Sequence, residues 1–184
     1  MGNNFCLWLT GLPGSGKTTI TQELEELLVK QGVNLVILSM DRMRLFLTPD
    51  PKYTEQEREI VYRALVMVAQ LLMEHSAKSV IIDATGNRRH FRELARASIS
   101  DFAEVYIKCD IEVAREREAS RETPAVEKDL YRKAQQGKLG GGLPGLTTPY
   151  EEPAEPEIEV PSEALTPFEA AQEIMSYVRE RWLT

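Results

Sequence analysis

Apolar residues along the chain fall into two kinds of run. Short stretches of strand length, Phe5 to Leu9, Asn34 to Leu38, Ser79 to Asp83, Ala103 to Lys108 and Glu157 to Val160, predict five strands. Between and after them lie longer segments with helical spacing. Lys17 to Gln31 is ended by Gly32, and a helix to His75 starts behind a Thr54 cap and the acidic Glu55 and Glu57. Its core face is expected to carry Ile60, Ala64, Val68, Leu71 and Leu72. Further helices are predicted from Arg88 to about Ser98, from Ile111 to Ser120 and from Val126 to Gln136. A closing helix, Pro167 to Trp182, is expected to turn Phe168, Ala171, Ile174, Val178 and Trp182 inward. Strands that alternate with helices imply a three-layer α/β domain with a mostly parallel five-stranded sheet.

Composition adds limits. A chain of 184 residues is expected to form one domain, residues 1–184, with no second core. Its 42% hydrophobic and 28% charged residues are those of a globular protein. The formal net charge of −7 argues against long nucleic acids and acidic lipid as partners, so a phosphate-rich ligand has to be met locally. No leader and no run of about 18 apolar residues is present, which predicts a cytoplasmic protein off the membrane. Cys6 and Cys109 lack metal-ligand spacing and are expected to be reduced and buried. The oligomeric state stays open, a homodimer included.

Chemistry enters at Gly11-Leu12-Pro13-Gly14-Ser15-Gly16-Lys17-Thr18, which satisfies G-x-x-x-x-G-K-[ST] between a predicted strand and a predicted helix. Its glycines let backbone N–H groups approach phosphate oxygens, and the helix N-terminus that follows favours anions. Lys17 is expected to hold the β- and γ-phosphates of ATP or GTP and the Thr18 hydroxyl to ligate Mg²⁺, with Thr19 completing the loop. The domain is thereby expected to be of the P-loop NTPase type. Asp83, at the end of an apolar strand, has the Walker-B position, where a carboxylate acts on the Mg²⁺ shell or on the attacking group, and it is taken as a metal candidate.

Asp41 and Arg44 follow the second strand, on the side where parallel sheets bind ligands. An Asp there can accept a hydroxyl proton and an Arg three residues on can hold an acceptor phosphate, so Lys17, Asp41 and Arg44 are the catalytic candidates. The alternative for Asp41 is a helix N-cap. Arg58 and Arg63 are either acceptor contacts or solvated helix charges. Arg88, Arg89 and Arg92 crowd a helix start, an unfavourable placement unless an anion sits nearby, which points to an acceptor-phosphate site. A helical lid is expected over about residues 111–150. It carries a loop rich in glycine, Gly140 to Gly145, and Arg115, Arg117 and Arg121, which either close over the transferring group or, interleaved with Glu116, Glu118 and Glu122, belong to a solvated mixed-charge helix.

Leu7 to Thr19, the Asp41-x-x-Arg44 pair and the stretch from Leu130-Tyr131-Arg132-Lys133-Ala134 through Pro149-Tyr150-Glu151 with Pro153 and Pro156 resemble adenylylsulfate kinases. The resemblance covers most of the chain. It implies ATP as donor and the 3′-hydroxyl of adenosine 5′-phosphosulfate as acceptor. It also implies Asp41 as the hydroxyl-activating carboxylate, with Arg44, Arg58, Arg63 and Lys133 at the acceptor. The chain departs from that family's pattern in four places. Ser39-Met40-Asp41 stands for Asp-Gly-Asp, Val61 for an Asn and Leu143 for an aromatic residue, while Asp83-Ala84-Thr85-Gly86-Asn87-Arg88 replaces Ser-Pro-Tyr-Arg. The middle, Tyr53 to Arg92, is also similar to the kinase module of polynucleotide kinases. The alternatives are therefore a P-loop kinase for another nucleotide, a sugar or a nucleic-acid 5′ end, or a switch that binds nucleotide without transfer.

Overall fold

The computed structural model describes residues 4–120, 132, 136 and 142–183. The predicted lid helix Val126 to Gln136 therefore lies outside the described residues except for Arg132 and Gln136, and so do Arg121, Lys133, Gly140 and Gly141. Five strands, β1 (Cys6–Thr10), β2 (Leu35–Ser39), β3 (Ser79–Asp83), β4 (Phe102–Lys108) and β5 (Ile158–Pro161), form one sheet in the order β2-β3-β1-β4-β5. Every pairing is parallel. Six helices stand among the described residues: α1 (Lys17–Lys30), α2 (Met40–Leu47), α3 (Glu55–His75), α4 (Arg89–Ser98), α5 (Ile111–Ala119) and α6 (Pro167–Trp182).

Alternate residues of β1 serve opposite faces. Phe5, Leu7 and Leu9 pack with Leu24 and Leu28 of α1 and Ile174 and Val178 of α6. Cys6 and Trp8 pack with Leu65 and Ala69 of α3 and Phe91 and Ala95 of α4. The three layers expected from the pattern are thus present, and strands covered on both faces explain why they are apolar throughout. Cys6 and Cys109 are free and buried.

Two core faces differ from expectation. Helix α3 buries Val61, Tyr62, Leu65, Val66 and Ala69, with Val68 and Leu72 packed half-buried against them as expected, while Ile60 and Leu71 point outward at 57% and 44% exposure. Apolar residues surround this helix, so its periodicity admits two phases. The sheet selects the one that brings Arg58 and Tyr62 to the strand ends. In α6, Phe168 sits on the first turn at the edge of the buried stripe and is 46% exposed, whereas Ala171, Ile174, Val178 and Trp182 are inward as expected. Helix α2 was not marked as an element by the hydrophobic pattern. Its N-cap is Ser39, and Asp41 lies in its first turn.

Tyr62 joins the core to the turn after β3. Its ring stacks on Phe91 at 4.1 Å and its hydroxyl accepts from the buried Gly86 N–H at 2.9 Å. Tyr62→Phe strands that N–H and is expected to cost about 1–3 kcal/mol. At about 2–4 °C per kcal/mol for a chain of this size, the melting temperature should drop by several degrees. An unchanged melt would show that the hydroxyl contributes nothing there.

Candidate active site

The phosphate loop follows β1 and runs into α1. Gly14 has φ 82°, and a Cβ there would lie 2.1 Å from the Ala114 carbonyl, so α5 seats against the loop only because this residue is glycine. Gly16, the N-cap of α1, has φ 98°. Lys17 Nζ donates to the carbonyls of Gly11 at 3.0 Å and Leu12 at 2.8 Å, which curls the side chain back over the loop. Ser15 Oγ is buried without a hydrogen-bond partner among the described residues. Thr18 Oγ1 donates to Asp83 Oδ2 at 2.8 Å, bringing together two residues 65 apart in sequence.

A cleft of about 620 Å³ opens from this loop. Lys17, Thr18 and Asp83 line it together with Asp41, Arg44 and Arg58. The sheet order brings the two sets near one another, because β1, which leads to the loop, and β2, which leads to α2, both neighbour β3. Asp41 is exposed on the first turn of α2. Arg44 is buried, with Nη1 3.4 Å from Glu57 Oε1 and its guanidinium 4.9 Å from the centre of the Tyr53 ring. Burial alone would raise the Glu57 carboxyl. Hydrogen bonds from Thr48 and the Lys52 and Tyr53 amides, with the charge of Arg44, hold it below its ordinary value and keep it anionic.

Arg58 is also buried. It donates through Nε to the Tyr53 carbonyl at 3.3 Å and through Nη2 to the Gly142 carbonyl. Burial pulls this guanidinium below its ordinary value, and its hydrogen-bond partners are neutral. A charged donor held this way in a cleft wall is suited to an anionic ligand. Tyr53, at φ 54°, is the one non-glycine residue with positive φ among the described residues, and it too lines the cleft.

Other predicted contacts lie elsewhere. Arg63 is exposed and pairs with Glu59 at 2.6 Å, away from the cleft lining. Arg88 pairs with Glu151 at 3.0 Å and Glu55 at 3.7 Å, the Arg89 amide donates to Glu151 Oε2, and buried Arg92 binds Glu104. The basic start of α4 is thus balanced by carboxylates of this chain, and Arg88, Arg89 and Arg92 are not among the residues that line the cleft. Among the lid arginines, Arg115 pairs with Glu112, while Arg117 lines the cleft and donates to Ser162 Oγ at 3.2 Å and to its carbonyl at 2.9 Å.

Sequence reasoning did not single out Tyr53, Tyr62 or Thr85 as cleft residues. Of the departures noted above, Met40, Leu143, Ala84 and Thr85 line the cleft, whereas Val61 of α3 is buried in the core.

A parallel sheet in this order, a phosphate loop paired with a strand-end Asp, and a second set of Asp and Arg lining the same cleft define a phosphotransferase of the P-loop class. The chain belongs to the adenylylsulphate kinase family, whose model matches residues 3–161. It is 34% identical over 180 residues to the adenylyl-sulfate kinase of Bacillus pumilus, a match taking in 95% of this chain and 85% of that one. It is likewise 34% identical over 176 residues to the probable adenylyl-sulfate kinase of Pyrococcus abyssi, covering 96% and 95%. The solved structure of the Mycobacterium tuberculosis APS kinase in complex with AMPPNP and APS superposes with a TM-score of 0.83 at 26% identity, over 97% of this chain and 99% of that one. The family match runs straight through Tyr53 to Arg92, the stretch that also resembles polynucleotide kinases. Among the described residues, no helix is long and apolar enough to cross a membrane.

Proposed function

We propose that the chain transfers the γ-phosphoryl group of ATP to the 3′-hydroxyl of adenosine 5′-phosphosulfate. In this reading the 184 residues act as one cytoplasmic kinase unit, with about residues 111–150 as its lid. The observation that carries it is the cleft that Lys17, Thr18 and Asp83 line together with Asp41, Arg44 and Arg58.

The hydroxyl oxygen forms a bond to the γ-phosphorus as the bond to the β–γ bridging oxygen breaks. ADP leaves, and the hydroxyl proton goes to Asp41. The transition state is loose and anionic, so positioning and charge neutralisation do most of the work. Lys17 and the loop amides meet the donor phosphates, and Arg44 and Arg58 hold the anionic end of the acceptor. Lys133 keeps the acceptor role that the family resemblance implies. Thr18 and Asp83 fit Mg²⁺, an oxygen-loving ion that takes one or two protein ligands beside substrate phosphates. Bound there it would neutralise charge on the β- and γ-phosphates. The unpartnered Ser15 hydroxyl and the left-handed glycines suit a loop that closes around an anion.

A second reading keeps the reaction and changes the acceptor. It is favoured by Met40 and Leu143, which stand on the cleft wall at two of the positions that depart from the family pattern. ADP release from Mg-ATP separates the two readings when adenosine 5′-phosphosulfate is compared with nucleosides, sugars and 5′-hydroxyl oligonucleotides. Stimulation by adenosine 5′-phosphosulfate above the rest is expected. A response to another acceptor and none to this one would replace the first reading by the second.

A further inference from the structure

Pro149-Tyr150-Glu151 stands out in the sequence, yet none of its residues lines the cleft. The stretch lies instead across two strand ends. Tyr150 Oη is 3.0 Å from Oγ1 of Thr10, the last residue of β1 before the phosphate loop. Thr10 Oγ1 in turn donates to the Thr85 carbonyl at 2.6 Å. A threonine hydroxyl has one proton, and the Thr85 carbonyl takes it, so Tyr150 is the donor to Thr10. Burial pushes the Tyr150 phenol up, which keeps that proton in place.

The backbone around Tyr150 is fastened to the same turn. Glu151 N–H donates to the Asn87 carbonyl at 2.8 Å, Asn87 Nδ2 to the Pro149 carbonyl at 3.2 Å, and Arg92 Nη2 to the Glu151 carbonyl at 2.6 Å. The turn held in this way follows Asp83, and β3 places it between the phosphate loop and Asp41. Thr85 itself is on the cleft wall.

We propose that Tyr150 is a positioning residue for phosphoryl transfer. Through the relay Tyr150, Thr10, Thr85 it sets the turn after Asp83 against the phosphate loop. Asp83 and Thr18 on the donor side then keep their spacing to Asp41 on the acceptor side. Displacements of about 1 Å in such a site cost about a hundredfold in rate, so a relay that removes slack between the walls acts on kcat while leaving donor binding alone. The inference rests on the kinase reading above.

Tyr150→Phe keeps the ring, which faces Tyr106 at 6.3 Å, and removes only the donor. The expected result is a fall in kcat of roughly threefold to tenfold, the effect of losing one neutral hydrogen bond, with the KM for ATP unchanged. Thr10→Val should do at least as much, and the double variant no more than Thr10→Val, because both act through one relay. Hydrogen exchange gives a reading that needs no turnover: the amides of Ala84 to Asn87 should exchange several times faster in Tyr150→Phe. Unchanged exchange would overturn the relay. So would an unaltered kcat in a variant of an active enzyme, or single effects that multiply in the double variant. Absence of turnover in the unaltered protein with every acceptor would sink the kinase reading instead, and exchange would still decide the relay.

Discussion

Replacing Asp41 with asparagine is expected to lower kcat by about 10²–10⁴-fold, the range over which a positioned general base contributes. ATP affinity should change by less than about twofold, as for a surface substitution away from the ligand. The two side chains have the same shape, so the first turn of α2 and the neighbouring Arg44 should keep their places. The amide cannot accept the hydroxyl proton. Asp41 is exposed and lines the same cleft as Lys17, with β3 between the strands that lead to them, so in the proposed reading it is the carboxylate offered to the attacking hydroxyl. Steady-state kinetics beside titration with a non-hydrolysable ATP analogue checks both halves. Turnover that survives the change would move the base elsewhere. Weakened analogue binding would mean that Asp41 serves the donor.

Lys17→Ala is expected to cost about 10²–10³ in kcat, the measured scale for removing one preorganised donor from developing charge. The KM for ATP should rise by at least about tenfold, since a hydrogen bond to a charged group contributes about 1.5–3 kcal/mol. In the structure Nζ bridges the Gly11 and Leu12 carbonyls and so lies folded back over the loop. Arginine should not substitute for it, because a planar fork cannot occupy the place of a compact ammonium held between two carbonyls. Kinetics of the Ala and Arg variants, with melting curves to show that both fold, test this. An Ala variant with ordinary turnover would end the phosphate-loop assignment.

Much of this site was legible because its parts are contiguous. In the proposed reading residues 11–19 act mainly through backbone shape and a helix N-terminus, both properties of local sequence. Asp83 and Asp41 could be placed because ligands of a parallel sheet gather at the carboxyl ends of strands. The arginines were harder. Arg44, Arg58, Arg63, Arg88, Arg89 and Arg92 are equivalent as letters, yet only Arg44 and Arg58 among them reach the cleft. Glu59, Glu151 and Glu104 decide the rest by pairing with the others, and those carboxylates come from α3, from the segment leading to β5, and from β4. Tyr62 was hidden by the apolar residues around α3, which let the buried face be read one step to the side of where the sheet sets it.

The sequence by itself determined the class of fold, the phosphate loop, the strand-end carboxylates and the family. Each of these is written in residues adjacent along the chain or at a fixed helical or strand spacing. Tertiary structure alone decided which face of α3 is buried, which arginines meet the cleft, and that Tyr150 is tied to the ends of β1 and β3. Those outcomes depend on contacts between residues as much as 140 apart. Strand order and register set such contacts, and the competition among many like charges for a few carboxylates is settled only once the strands are in place.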